Sequence, residues 1–230
     1  MARYQYVLFD ADNTLFDFDR SEWEALGLTL EAHGIDPTRE RKLRYQAINA
    51  ELWAAFNRGE LVEQPFLVVE RFAVFLREFG LSGDPAAMNA DYLNFLAQQG
   101  CPLPGAEALC AALAPHCTLA LVTNGLSVAQ RGRYDRSPLR TYLPHLFISQ
   151  ELGYRKPQKE FFDRVFEALA ISDPRQAVVV GDSLSADIQG AVNAGMDSIW
   201  YNPKGASLPA APRPTYVALD FDAVRRIILG

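Results

Sequence analysis

A short apolar run that stops at two acids constrains this chain more than any other stretch. Tyr6-Val7-Leu8-Phe9 favours β-structure and ends at Asp10 and Asp12. A brief apolar run bounded in this way reads as a buried strand of a parallel sheet. Side chains two apart on an extended chain share one face, so both carboxylates can enter one site. In open parallel sheets such a site lies beyond the carboxyl ends of the strands. Two neighbouring carboxylates repel each other. A divalent cation relieves the repulsion, and so does protonating one of the pair. The plainer alternative is an Asx-turn in which Asp12 or Asn13 closes a loop.

From about Arg20 to Gln99 the pattern becomes helical. Trp23, Leu26, Leu28 and Leu30 predict a first helix stopping near Gly34. Asp36-Pro37 reads as an N-cap followed by proline at the first helical position. Leu43, Ala47, Ile48, Leu52, Ala55 and Phe56 recur at three and four, predicting an amphipathic helix that ends near Gly59. A third helix is expected over Val62–Phe79, and Asp84-Pro85 starts a fourth that runs to about Gln99. This stretch reads as a helical bundle inserted after the first strand. Cys101 to Gly105 is a breaker cluster that returns the chain to the sheet.

Beyond it, apolar runs alternate with helical patterns. Thr118–Val122 is a strand ending in Thr123-Asn124-Gly125, and a helix and a short strand near Leu146–Ser149 follow. Lys156-Pro157 opens a helix, Ala177–Val180 is a strand ending at Gly181-Asp182, and a helix from about Ser185 stops at Gly195. Asp197–Tyr201 is a further strand. Residues 202–214 form a proline-rich loop, and a helix closes the chain. The alternation predicts an α/β fold: a Rossmann-like, mostly parallel sheet with helices on both faces, plus an inserted α-helical bundle. The expected division is 1–16 and 101–230 for the sheet-bearing core and 17–100 for the inserted helices. A length of 230 residues suffices for both. Three strands of one parallel sheet then end in Asp10 and Asp12, Thr123 and Asn124, and Asp182, which places these residues along one edge.

In this order, Asp10-Ala11-Asp12-Asn13-Thr14-Leu15, Thr123, Lys156-Pro157 and Gly181-Asp182 through Asp187 resemble the four motifs of the haloacid dehalogenase superfamily, in its phosphatase branch. The resemblance spans about Tyr4 to Tyr201. It implies a hydrolase of small phosphate monoesters working through an aspartyl-phosphate. Asp10 is then the nucleophile, and Asp12 protonates the leaving oxygen and later activates water. Thr123, Asn124 and Lys156 bind the phosphoryl group. Mg²⁺ is held by Asp10, the backbone carbonyl of Asp12 and Asp182, with Asp187 orienting the groups around it. Such a cation is needed because a phosphate monoester carries about two negative charges at neutral pH. The superfamily's dehalogenases lack the second aspartate, so Asp12 favours phosphoryl chemistry. Lys156 has a rival in Lys159, and Asp187 in a helix's first turn also suits the helix dipole.

The stretch from Gln46 to Gly59 resembles the corresponding cap helix of bacterial pyrimidine 5′-nucleotidases. It implies a nucleoside 5′-monophosphate as substrate, with Phe18, Asn49 and Trp53 facing the leaving group. Trp53 and Phe56 equally suit a bundle core. Phosphoglycolate or sugar-phosphate phosphatase and phosphomutase are the alternatives, and an inactive interaction protein of this fold is the remote one.

The net charge of −6 argues against long nucleic acid and anionic membranes as partners. Cys101, Cys110 and Cys117 make no C-x-x-C pair and read as reduced core thiols. With no membrane-length apolar run and no signal-peptide pattern, a cytoplasmic protein is expected, as a monomer or homodimer.

Overall fold

The computed structural model describes residues 2–58, 60, 64–208 and 210–230. In chain order the elements are β1 (Tyr6–Phe9), α1 (Phe18–Ala32), α2 (Arg39–Asn57), α3 (Gln64–Glu78), α4 (Pro85–Leu96), α5 (Ala106–Leu113), β2 (Thr118–Thr123), α6 (Ser127–Arg136), β3 (His145–Ile148), α7 (Ser149–Leu152), α8 (Lys159–Leu169), β4 (Ala177–Gly181), α9 (Gln189–Ala194), β5 (Asp197–Tyr201), β6 (Tyr216–Ala218) and α10 (Phe221–Leu229). Among the described residues the six strands all pair in parallel, in the order β3-β2-β1-β4-β5-β6. This is the mostly parallel, helix-flanked sheet with an inserted helical region that the alternation predicted.

Strand periodicity divides the core. Val7 and Phe9 face one side with Leu119, Leu121, Val178 and Val180, against α5 and α10. Leu8 faces the other side with Ala120, Val122 and Val179, against α8 and α9. Both faces are covered, which is why the strands read as continuous apolar runs. The direction of the connections reverses at β1, which lies between β2 and β4. Such a switch point opens a crevice at the carboxyl edge.

The inserted helices α1 to α4 have a core of their own. Tyr45, Phe72 and Tyr92 form an aromatic triangle with centroids 4.9, 5.7 and 5.8 Å apart. Leu26, Leu30, Ile48, Phe75 and Met88 fill in around it. Truncating one such buried aromatic to alanine costs about 3–5 kcal/mol.

Several boundaries differ from expectation. Thr38, not Asp36, caps α2 by accepting from Arg41 N–H (3.3 Å), and Pro37 lies before the helix. Asp84 does cap α4, with Pro85 at its first position. Gly59 and Val62 lie outside the described residues, so the predicted end of α2 and start of α3 fall there. Lys156-Pro157 precedes α8 rather than opening it. The chain turns there through a cis peptide, and Gln158 N–H donates to the Arg155 carbonyl (2.7 Å). The helix expected from Ser185 begins as a π-helical turn, Leu184–Ile188. The edge strand β6 is three residues long, too short for a periodic signal. Cys110 and Cys117 are buried, whereas Cys101 is half-buried in the return connection. Among the described residues, no helix is long and apolar enough to cross a membrane.

Candidate active site

Register brings the predicted residues together. Phe9 aligns with Leu121 on β2 and Val180 on β4, so the chain leaves all three strands at one level. Asp10 continues the ladder by donating its N–H to Val180 O (2.8 Å). Thr14 then ties the first loop to the fourth strand, its hydroxyl accepting from Asp182 N–H (3.1 Å).

Lys156 is buried beneath this edge. Its ammonium donates to Asp10 Oδ1 (2.6 Å), Asp187 Oδ1 (2.6 Å) and the Val122 carbonyl (3.0 Å). Three donors meet three acceptors, which is the condition for burying a charge. Burial would lower the ammonium's pKa, but Asp10 and Asp187 outweigh it and hold Lys156 protonated above its ordinary range. Lys159 pairs instead with Asp163 at the surface. The Asn124 side chain grips the Lys156 backbone from both sides, donating to its carbonyl (2.8 Å) and accepting from its N–H (2.9 Å). Thr123 Oγ1 accepts from Gly125 N–H (3.0 Å), which leaves its own proton to donate.

Asp187 is fully buried. Its second oxygen accepts from Ser183 N–H (3.1 Å). The carboxylate fits because residue 181 is glycine: a Cβ there would stand 2.2 Å from Asp187 Oδ2.

Asp10, Asp182 and Asp187 each bring a carboxylate oxygen within 4.8 Å of the others. Burial pushes Asp10 up to about 7, against the pull of Lys156 and with Asp187 and Asp12 adding to the rise. Burial also pushes Asp182 up to about 8, helped by Asp10 and Asp187. These groups resist ionising together unless a cation joins them, and clustered hard oxygens suit Mg²⁺.

A cavity of about 740 Å³ opens over this cluster, within the size range of small-molecule sites. Asp10, Asp12, Thr123, Asn124, Lys156 and Asp182 line it from the sheet edge. Phe18, Asn49 and Trp53 line it from the inserted helices. Trp53 also stands edge-on to Phe56, centroids 5.5 Å apart, so it serves the bundle and the cavity at once. Leu43, expected on the apolar face of α2, is 48% exposed and lines the cavity as well.

Four residues at the site escaped sequence reasoning. Glu22 is buried, accepting from Asn49 (2.6 Å) and Gln46 (3.0 Å). Arg71 is buried beside it, donating to Asn49 (3.0 Å) and Asn89 (2.8 Å). Gln130 and Arg133 hold the Asp12 carboxylate. The only sequence trace of the last pair is their spacing of three on the helix after Thr123-Asn124-Gly125.

A family model described as haloacid dehalogenase-like hydrolase matches residues 4–195. The chain is 37% identical over 230 residues to the HAD-hydrolase YfnB of Bacillus subtilis, covering 99% of this chain and 97% of that one. A YfnB crystal structure bound to magnesium, which reveals interdomain movement, superposes with a TM-score of 0.93 at 35% identity over 98% of each chain. The pyrimidine 5′-nucleotidase PynA of Streptococcus pneumoniae is 36% identical over 219 residues, 95% of this chain and 92% of that one. The pyrimidine 5′-nucleotidase YjjG of Escherichia coli is 31% identical over 226 residues, 98% of each. The chain therefore belongs to the haloacid dehalogenase-like hydrolases and carries the aspartate cluster of their phosphoryl-transfer chemistry.

Proposed function

We propose that this protein is a Mg²⁺-dependent phosphatase acting on a nucleoside 5′-monophosphate through an aspartyl-phosphate. The observation that carries this reading is the buried Asp10–Lys156–Asp187 cluster beside Asp12 and Asp182, facing a cavity of about 740 Å³. The two pyrimidine 5′-nucleotidases among its relatives support the substrate class.

In this reading, residues 1–16 and 101–230 carry the chemistry and residues 17–100 cap it. Asp10, Asp182 and the backbone carbonyl of Asp12 hold Mg²⁺. Asp187, with both oxygens already accepting from Lys156 and Ser183, orients its neighbours. When bound, Mg²⁺ supplies a charge sink for the phosphoryl oxygens. A carboxylate oxygen of Asp10 attacks phosphorus, the bond to the ester oxygen breaks, and Asp12 gives that oxygen its proton. Water then attacks the aspartyl-phosphate while Asp12 takes the water's proton. Phosphate leaves and both aspartates are restored. Thr123 donates its hydroxyl proton to a phosphoryl oxygen, and Lys156 neutralises charge on Asp10 and the transferring group. The inserted helices exclude water and meet the nucleoside through Phe18, Asn49 and Trp53. The interdomain movement of YfnB supports a cap that opens to admit the ester.

The test is phosphate release from pyrimidine and purine 5′-monophosphates, phosphoglycolate and sugar phosphates, with Mg²⁺ and with chelator, and with Asp10→Asn as the blank. Mg²⁺-dependent release concentrated on pyrimidine monophosphates is expected. Release concentrated on another ester overturns the substrate, and chelator-resistant release overturns the metal.

A further inference from the structure

Asp12 does not stand free in the cavity. Its Oδ1 is ion-paired to Arg133 Nη1, and its Oδ2 accepts from Gln130 Nε2 (2.7 Å). Both donors come from α6, one turn apart, so one rigid element grips both oxygens of one carboxylate. Gly125 makes room for this, since a Cβ there would stand 2.2 Å from Gln130 Nε2.

Arg133 reaches further than Asp12. It is fully buried, and its Nε donates to the Gln99 carbonyl (3.2 Å) in the connection returning from α4. Its guanidinium lies 5.0 Å from the ring centroid of Phe16, in the connection going out to α1, and 5.7 Å from that of Phe18, the first residue of α1. One side chain therefore touches both crossings between sheet and inserted helices. The helix itself presses on the return crossing, where a Cβ on Gly132 would stand 2.6 Å from Ala97. A buried arginine whose Nη2 finds no partner among the described residues is a poor device for packing alone.

We propose that Arg133 and Gln130 are positioning residues that aim the Asp12 carboxyl at the leaving oxygen, and that Arg133 ties this aim to the placement of the inserted helices. The inference rests on the reading of Asp12 as the leaving-group acid. Such an acid matters for an alkyl ester such as a nucleoside monophosphate, whose alkoxide must be protonated as it leaves. It matters little for p-nitrophenyl phosphate, whose phenolate leaves unaided. The parameter kcat/KM reports the reaction through phosphoryl transfer to Asp10, the step at which the leaving group departs.

The experiment measures kcat/KM for a nucleoside 5′-monophosphate and for p-nitrophenyl phosphate in the wild type, Arg133→Met, Arg133→Lys and Gln130→Met. Arg133→Met is expected to lower the nucleotide value about 10- to 100-fold, and the aryl value less than about threefold. Gln130→Met shifts the ratio the same way by less, and Arg133→Lys recovers part of the loss. On an Asp12→Asn background, Arg133→Met costs less than about twofold more, because the group it aims is already gone. Equal losses on both esters, or a full additional loss on the Asp12→Asn background, overturn the inference. If Arg133→Met does not fold, the ester ratio of Gln130→Met and Arg133→Lys decides in the same way. A wild type that hydrolyses neither ester removes the phosphatase reading and this inference with it, whereas an active wild type with uniform losses removes only the inference.

Discussion

Replacing Glu22 with glutamine tests the electrostatics of the inserted helices at one atom's cost. Burial pushes the Glu22 carboxyl up to about 7 from an ordinary value of 4.5, and Asp19 adds to the rise. Hydrogen bonds from Gln46 and Asn49 and the charge of Arg71 oppose it without cancelling it. The folded protein therefore keeps the proton to a higher pH than the unfolded chain does. Between pH 4.5 and 7 the folded state carries the extra proton, and unfolding free energy falls by about 1.4 kcal/mol per pH unit. Across that window the loss is about 3 kcal/mol. The stabilisation is complete below pH 4.5 and gone above pH 7. Glutamine has the shape of the protonated acid and no proton to lose, and Gln46 can turn its amide to meet it. Glu22→Gln is thus expected to match the wild type near pH 4.5 and to exceed its stability by about 3 kcal/mol at pH 8. Urea unfolding of both proteins at several pH values checks this. A stability difference that does not change with pH refutes the reasoning, as does a glutamine variant that is less stable at pH 8.

Two further outcomes are expected at the site. Asp182→Ala raises the Mg²⁺ concentration needed for half-maximal rate and lowers kcat; an unchanged metal requirement shows that the proposed ligand set is wrong. Trp53→Ala lowers kcat/KM for the preferred nucleotide at least about fivefold more than for p-nitrophenyl phosphate, since stacking on an aromatic ring contributes about 1–3 kcal/mol per base. Equal losses on the two esters would leave Trp53 as a bundle residue only.

The edge that carries Asp10, Thr123 and Asp182 was legible because its code is local. Each residue ends an apolar run, and parallel strands share their carboxyl side. The helical insertion was legible for the same reason, through spacing at three and four and the Asp84-Pro85 cap. Lys156 was legible only through resemblance. What separates it from Lys159 is burial, 1% exposure against an open surface pair with Asp163.

By itself, the sequence determined the alternation of strands and helices, the place of the insertion, and which strand ends carry acids. These follow from residue periodicity and chain breakers acting over a few positions. Only the tertiary structure decided who holds those acids. Arg133 meets Asp12 across 121 positions, Lys156 meets Asp10 across 146, and Asn49 meets Glu22 across 27. No local pattern encodes such pairs. A long polar side chain on a helix reads as a solvated face until packing buries it, and once buried it must find a partner or pay the full cost of desolvation.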